Sequence, residues 1–147
     1  MTPSSAPYAS LQRRAARART LAAVYLAVLF VSTHMPTPDV GVDVAGLDKL
    51  IHLWAYAILT FAVMLGWEMT VGALQAKHYF AVWLVGVVYG MFDEATQIPV
   101  GRTADMNDWL ADVAGIVLGL IAFRICRIWV YRIFVPDSPL ASWKRSY

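Results

Sequence analysis

The sequence predicts an all-α fold: a four-helix transmembrane bundle with both termini in the cytoplasm (N-in/C-in). Three observations predict it. Hydrophobic residues make up 59% of the 147 and charged residues only 15%, against about half and a quarter in soluble domains. The apolar residues gather into four segments near the roughly 17–25 residues that a bilayer core requires. The basic residues sort to one side of those segments. Four such segments in so short a chain leave too few polar residues to cover their outsides in water. Backbone groups in lipid must be satisfied within their own segment, so the spans are helices. The same composition excludes a disordered chain, a disulfide-stapled secreted domain and a basic nucleic-acid binder. The single Cys126 forms no internal bridge.

The first span covers Thr20 to Val31, behind Arg13, Arg14, Arg17 and Arg19, whose stems can snorkel so that the helix begins near Ala15. A signal peptide has a similar basic-then-apolar start, but Ser32-Thr33-His34-Met35-Pro36 is a poor cleavage site, so the span stays. A Pro/Gly/Asp-rich loop occupies residues 35–47. The second span runs from about Leu50 to Val71 and carries Glu68, with His52 near its start. After a turn with Lys77 and His78 comes the third, Tyr79 to Phe92, which meets Asp93 and Glu94. A second turn holds Pro99, Gly101 and Arg102. The fourth span begins at Trp109, reaches about Val130, and places Asp112 one turn in. The expected domains are a basic cytoplasmic tail (1–19), a membrane domain (20–130) and a cytoplasmic C-terminal tail (131–147).

Orientation follows from charge. With the N-terminus inside, ten of the twelve basic residues lie inside: Arg13, Arg14, Arg17, Arg19, Lys77, Arg124, Arg127, Arg132, Lys144 and Arg145. Only Lys49 and Arg102 lie outside, as the positive-inside rule requires. Acidic residues distribute the other way, with only Glu68 and Asp137 inside. Asp39 and Asp43 fall with the outer acids.

Three distant stretches therefore converge on the outer leaflet. Asp48, Lys49 and His52 begin span two; Asp93, Glu94 and Gln97 end span three; Arg102, Asp105, Asp108 and Asp112 lead into span four. The pairs Asp48/His52, Asp93/Gln97 and Asp108/Asp112 are spaced i,i+4 and share helix faces. Asp105 or Asp108 suits a helix N-cap equally well. His52, Glu94, Gln97 and Asp112 sit within or at the ends of apolar segments, where such residues are costly and turn toward the bundle interior or a wet cavity. Ala111, Gly115 and Gly119 form a small-residue run suited to close helix contact. Two basic groups stand against six carboxylates in this cluster. Protonation, water or a divalent cation must relieve that imbalance. The spacing matches no dedicated metal motif, yet oxygen ligands with one imidazole suit a hard divalent ion, with His52, Asp93, Glu94 and Asp112 as candidate ligands.

The stretches DKLIHLWAY, YGMFDEATQ and GRTADMNDWLAD–GIVLG resemble the VanZ-like family of small membrane proteins. The similarity covers roughly residues 30–125, with three motifs in order. Where the family has an Asn in its last span, this chain has Asp112. The resemblance implies a multi-pass protein of the bacterial inner membrane and cell envelope, and the family's namesake gives teicoplanin resistance. One expectation is a binding module in which Asp48, Lys49, His52, Glu94, Gln97, Arg102, Asp105, Asp108 and Asp112 engage an envelope lipid head group or glycopeptide-like ligand. A second is an intramembrane enzyme on a lipid-linked envelope precursor, with His52 and Glu94 or Asp93 as acid/base partners. A third is a structural subunit locked by its polar cluster. Haem ligation by paired histidines is disfavoured, because His78 lies on the opposite face from His34 and His52.

Overall fold

The computed structural model describes residues 6–35 and 46–134. Residues 36–45 of the expected 35–47 loop, with Asp39 and Asp43, and the tail carrying Asp137, Lys144 and Arg145 lie outside the described residues, as does the side chain of Arg132. Four helices are present: α1 (Ala6–Thr33), α2 (Leu47–Val71), α3 (Ala76–Gln97) and α4 (Met106–Phe134). Among the described residues there is no strand. Each helix outruns its apolar segment. α1 extends back through the four arginines, and α3 takes in Lys77 and His78 at its start and Asp93 to Gln97 at its end.

Local chemistry places the ends. Gly46 and Gly72 flank α2 with φ of 83° and 86°, positive values that glycine adopts without steric cost. At the start of α3, the backbone N–H of Gln75 donates to Nδ1 of His78 (2.9 Å). His78 is thus a capping residue at the end of the bundle away from the polar cluster. α3 stops in a 3-10 turn, Ile98–Val100, around Pro99, which has no N–H to continue the ladder.

Chain direction alternates through the bundle, so α2 and α4 run parallel. They form its centre, with α1 packed on α2 and α3 on α4. Small residues permit the central contact. A Cβ on Gly115 would collide with the carbonyl oxygen of Leu53, and one on Gly119 would lie 2.5 Å from that of Ala57. At Gly66 the contact is looser, with the backbone N of Arg19 3.3 Å from where a Cβ would stand, and it brings α1 onto α2. Trp109 Nε1 donates to the Val87 carbonyl (3.2 Å), fastening α4 to α3. Met64, Leu74 and Phe123 form a buried apolar cluster, joined by Phe61, Tyr79 and Leu120.

Burial is inverted relative to a water-soluble protein. His52, Glu68, Asp93, Glu94, Gln97 and Asp112 are buried, while Leu21, Val24, Val28, Trp54, Ile58, Val85, Ile121 and Ile125 are exposed. A continuous apolar exterior of this kind requires an apolar surrounding. α1, α2 and α4 are each long and apolar enough to cross a membrane. α3 falls short by composition, not length: it has 22 residues, but its apolar run is bounded by Lys77-His78 and Asp93-Glu94. Its outer face nonetheless carries Phe80, Leu84, Val88 and Met91 exposed at helical spacing.

Candidate functional site

The polar cluster lies where α1 and α3 end and α2 and α4 begin. Its centre joins the two core helices. His52 Nδ1 lies 2.9 Å from Asp112 Oδ1, and Asp112 is fully buried. A carboxylate only accepts, so Nδ1 carries the proton of this bond and Nε2 is the ring nitrogen that the bond leaves available. Gly90 makes room on the α3 side: its absent Cβ would stand 3.3 Å from Asp112 Oδ2.

Glu94 links α3 to the start of α4. Its Oε2 accepts from the backbone N–H of Asp105 (3.0 Å), and its Oε1 accepts from Gln97 Nε2 (3.3 Å). One ring nitrogen of His52 and one carboxylate oxygen each of Glu94 and Asp108 lie within 4.8 Å of one another. Asp105 is the N-cap of α4. Its Oδ1 accepts from the backbone N–H and the side-chain Nδ2 of Asn107 (2.8 and 3.0 Å). The bond from the Asn107 backbone N–H, then Lys49, and last the Asn107 side chain hold its carboxyl below the usual range. Lys49 gathers three carboxylates, Asp48 at 2.8 Å, Asp108 at 3.1 Å and Asp105 at 3.3 Å. Asp48 is the most exposed of these, with 56% of its side chain accessible.

Two expected residues stand elsewhere. Asp93, considered as an acid/base partner of His52, faces α1 instead, accepting from Thr33 Oγ1 (3.2 Å) with His34 Nδ1 at 3.9 Å. Arg102 donates through Nη1 to the carbonyl of Thr33 (3.0 Å) and more distantly to that of Met35 (3.5 Å). These are carbonyls at the end of α1, where the helix has no partner of its own. Arg102→Ala should therefore raise hydrogen exchange in the last turn of α1 roughly tenfold, equivalent to one charge-assisted bond of about 1.5 kcal/mol. Unchanged exchange there would contradict the capping role.

The structure adds Thr33, His34 and Thr96 to the cluster, where sequence reasoning places none of the three. His34 donates from Nδ1 to the Phe30 carbonyl (2.8 Å) and meets Thr96 Oγ1 through Nε2 (2.9 Å). Thr33, His34 and Thr96 thereby bring α1 into the cluster. The signal was present in the polar triplet Ser32-Thr33-His34, at the same end of the bundle as Asp93. Tyr56 and Tyr89 lean together at 6.2 Å between ring centres. Their hydroxyls, with Asp93 Oδ2 and Asp112 Oδ2, are buried without a hydrogen-bond partner among the described residues. Such orphan oxygens are rare in a finished interior.

A family model described as VanZ/LLP1 matches residues 2–127. No curated protein and no solved structure matches the chain.

Proposed function

The chain belongs to the VanZ/LLP1 family, and from that premise we propose a four-span protein of the bacterial inner membrane, both termini cytoplasmic, whose outer polar pocket binds an anionic envelope-lipid head group or a glycopeptide-like ligand. The observation that carries this reading is inverted burial. His52, Glu94, Gln97 and Asp112 are buried at one end of a bundle whose exterior is apolar. Ionisable groups within an apolar bundle are costly, and function is the usual reason they persist. The split of basic residues supports the orientation. The exposed apolar face of α3 supports its placement as a span. Lys49 and His52 are the groups for a phosphate or carboxylate to meet; Asp105 and Asp108 hold Lys49 in place.

Reporter fusions test the topology. Fusions after residues 40 and 100 should read external, and those near residue 75 and at the C-terminus cytoplasmic. An external C-terminus would overturn the orientation. Binding is tested with nanodiscs of defined lipid: native mass spectrometry should find anionic envelope lipid retained by the wild type and lost in Lys49→Gln. Equal retention by both would reject the pocket as the binding site.

A second reading, an intramembrane enzyme on a lipid-linked precursor, is favoured by the His52–Asp112 pair. A carboxylate that fixes an imidazole tautomer leaves Nε2 positioned as a general base. Turnover of a lipid-linked envelope precursor by the purified chain, abolished in His52→Gln, would select it over binding alone.

A further inference from the structure

We infer that the pocket is a divalent-cation site whose protein ligands are Nε2 of His52 and one carboxylate oxygen each from Glu94 and Asp108. The three side chains come from α2, α3 and α4, so the ion would tie together three of the four helices that meet at this end. One ring nitrogen of His52 and one carboxylate oxygen each of Glu94 and Asp108 lie within 4.8 Å of one another. Donors around a tetrahedral ion with bonds of about 2.1 Å sit about 3.4 Å apart, so small rotations of Glu94 and Asp108 close the set.

Independent features of the same pocket point to a ligand. The first is Asp112 behind His52. Metal-binding histidines almost always donate their other ring N–H to a carboxylate or carbonyl, which fixes the tautomer and strengthens the donor. His52 does this through Nδ1 at 2.9 Å. The second is the pair of unsatisfied oxygens, Asp112 Oδ2 and the Tyr56 hydroxyl, both essentially inaccessible. The Tyr56 hydroxyl lies within Coulombic range of Asp112 and Glu94. Charge runs the same way: three carboxylates, of Glu94, Asp108 and Asp112, stand around one imidazole, and Lys49 meets only Asp108 of the three. Lys49 takes Asp108 Oδ1, leaving Oδ2 for the ion.

A second trio, Asp48, Asp105 and Asp108, is also close enough to hold an ion. The ammonium of Lys49 already sits among its oxygens, so that trio carries its own cation. The ligand set differs from the sequence expectation in two members. Asp93 is engaged with Thr33, and Asp112 stands one shell behind, orienting His52. One imidazole with two carboxylates suits Zn²⁺ or Mn²⁺ better than Ca²⁺, which takes oxygen ligands alone. Three protein ligands leave coordination positions open. A phosphate or carboxylate of the ligand proposed above would bind there, a step that rests on that proposal; the cation itself does not.

The test uses the full chain in nanodiscs of neutral lipid, stripped with a chelator and titrated with Zn²⁺ or Mn²⁺ alone. Calorimetry should find one ion per chain. Glu94→Gln and Asp108→Asn should each weaken binding at least tenfold, and Asp112→Asn should do so to a lesser degree, whereas Lys77→Gln at the far end should leave it unchanged. Co²⁺ loaded into the wild type gives a second measurement that no variant's folding affects, through a visible spectrum of a nitrogen–oxygen site. No saturable ion, or equal affinity in wild type and folded Glu94→Gln, would overturn the inference. Ion binding without retention of anionic lipid would sustain it and reject the lipid reading; lipid retention without an ion would do the reverse.

Discussion

Gly115→Ala is expected to destabilise the bundle by about 3 kcal/mol, through a single added methyl. The new Cβ would strike the carbonyl oxygen of Leu53 and come within 3.1 Å of Tyr56 Cβ. The first of these is backbone inside α2 and has no rotamer to escape into. The parallel core pair must separate, and the His52–Asp112 bond one turn away must lengthen with it. Gly119→Leu, against Ala57 and Thr60, should be worse still. Gly86→Ala is the control. Its Cβ would meet Ile116 Cδ1 at 2.9 Å, the far end of a flexible side chain, and the alanine also gains helix propensity of up to about 1 kcal/mol. Thermal or denaturant unfolding in detergent should show a large loss for Gly115→Ala and little for Gly86→Ala. Equal effects would mean that α2 and α4 do not touch backbone to side chain as described.

His52→Leu should cost about 3–5 kcal/mol, because it leaves Asp112 buried with no counterpart. Asp112→Leu should cost less, about 1–3 kcal/mol, since an imidazole left without its acceptor can shed its second proton and stay neutral, as a stranded carboxylate cannot without taking one up. It also removes a carboxylate that stands in Coulombic range of Glu94 and Asp93. The double variant should recover much of the loss, as apolar replacement of both partners is often nearly neutral. Asp112→Asn should be the mildest, because the amide oxygen can accept the same bond from His52. That is the residue expected from the family resemblance at this position, and the bond gives it a physical role. The measurement is a double-mutant cycle on unfolding. Additive single costs would show that the two side chains act independently.

Much of the architecture was legible beforehand. The helix count and the four apolar segments follow from composition and from the bilayer's demand on backbone hydrogen bonds. The helix ends did not, because turns of helix continue past the apolar run wherever a cap is available, as at His78 and Asp105. The third helix shows the limit of hydropathy. Lys77, His78, Asp93 and Glu94 dilute its average, although the acids turn inward and the face toward the exterior is apolar.

The candidate residues were legible as a group and not as pairs. Asp48, Lys49, His52, Glu94, Gln97, Asp105, Asp108 and Asp112 were marked by depth alone. Which of them touch depends on the rotation of each helix about its axis. His52 and Asp112 are 60 residues apart, as are Thr33 and Asp93. No local spacing relates such pairs: the i,i+4 spacing puts Asp93 with Gln97 and Asp108 with Asp112 on one face of their own helix, but does not say which other helix that face meets. The crossing at Gly115 and Gly119 sets the phase of α2 against α4, and that phase makes Asp112 the partner of His52. The packing of α3 on α4 turns Asp93 toward Thr33 and His34. It also leaves Arg102 to cap α1. Membrane character, helix count and the end at which polarity gathers are properties of the chain read residue by residue, because each depends on transfer from water and on charge. Partner choice within the cluster belongs to the tertiary structure alone, because it depends on how closely two backbones can approach.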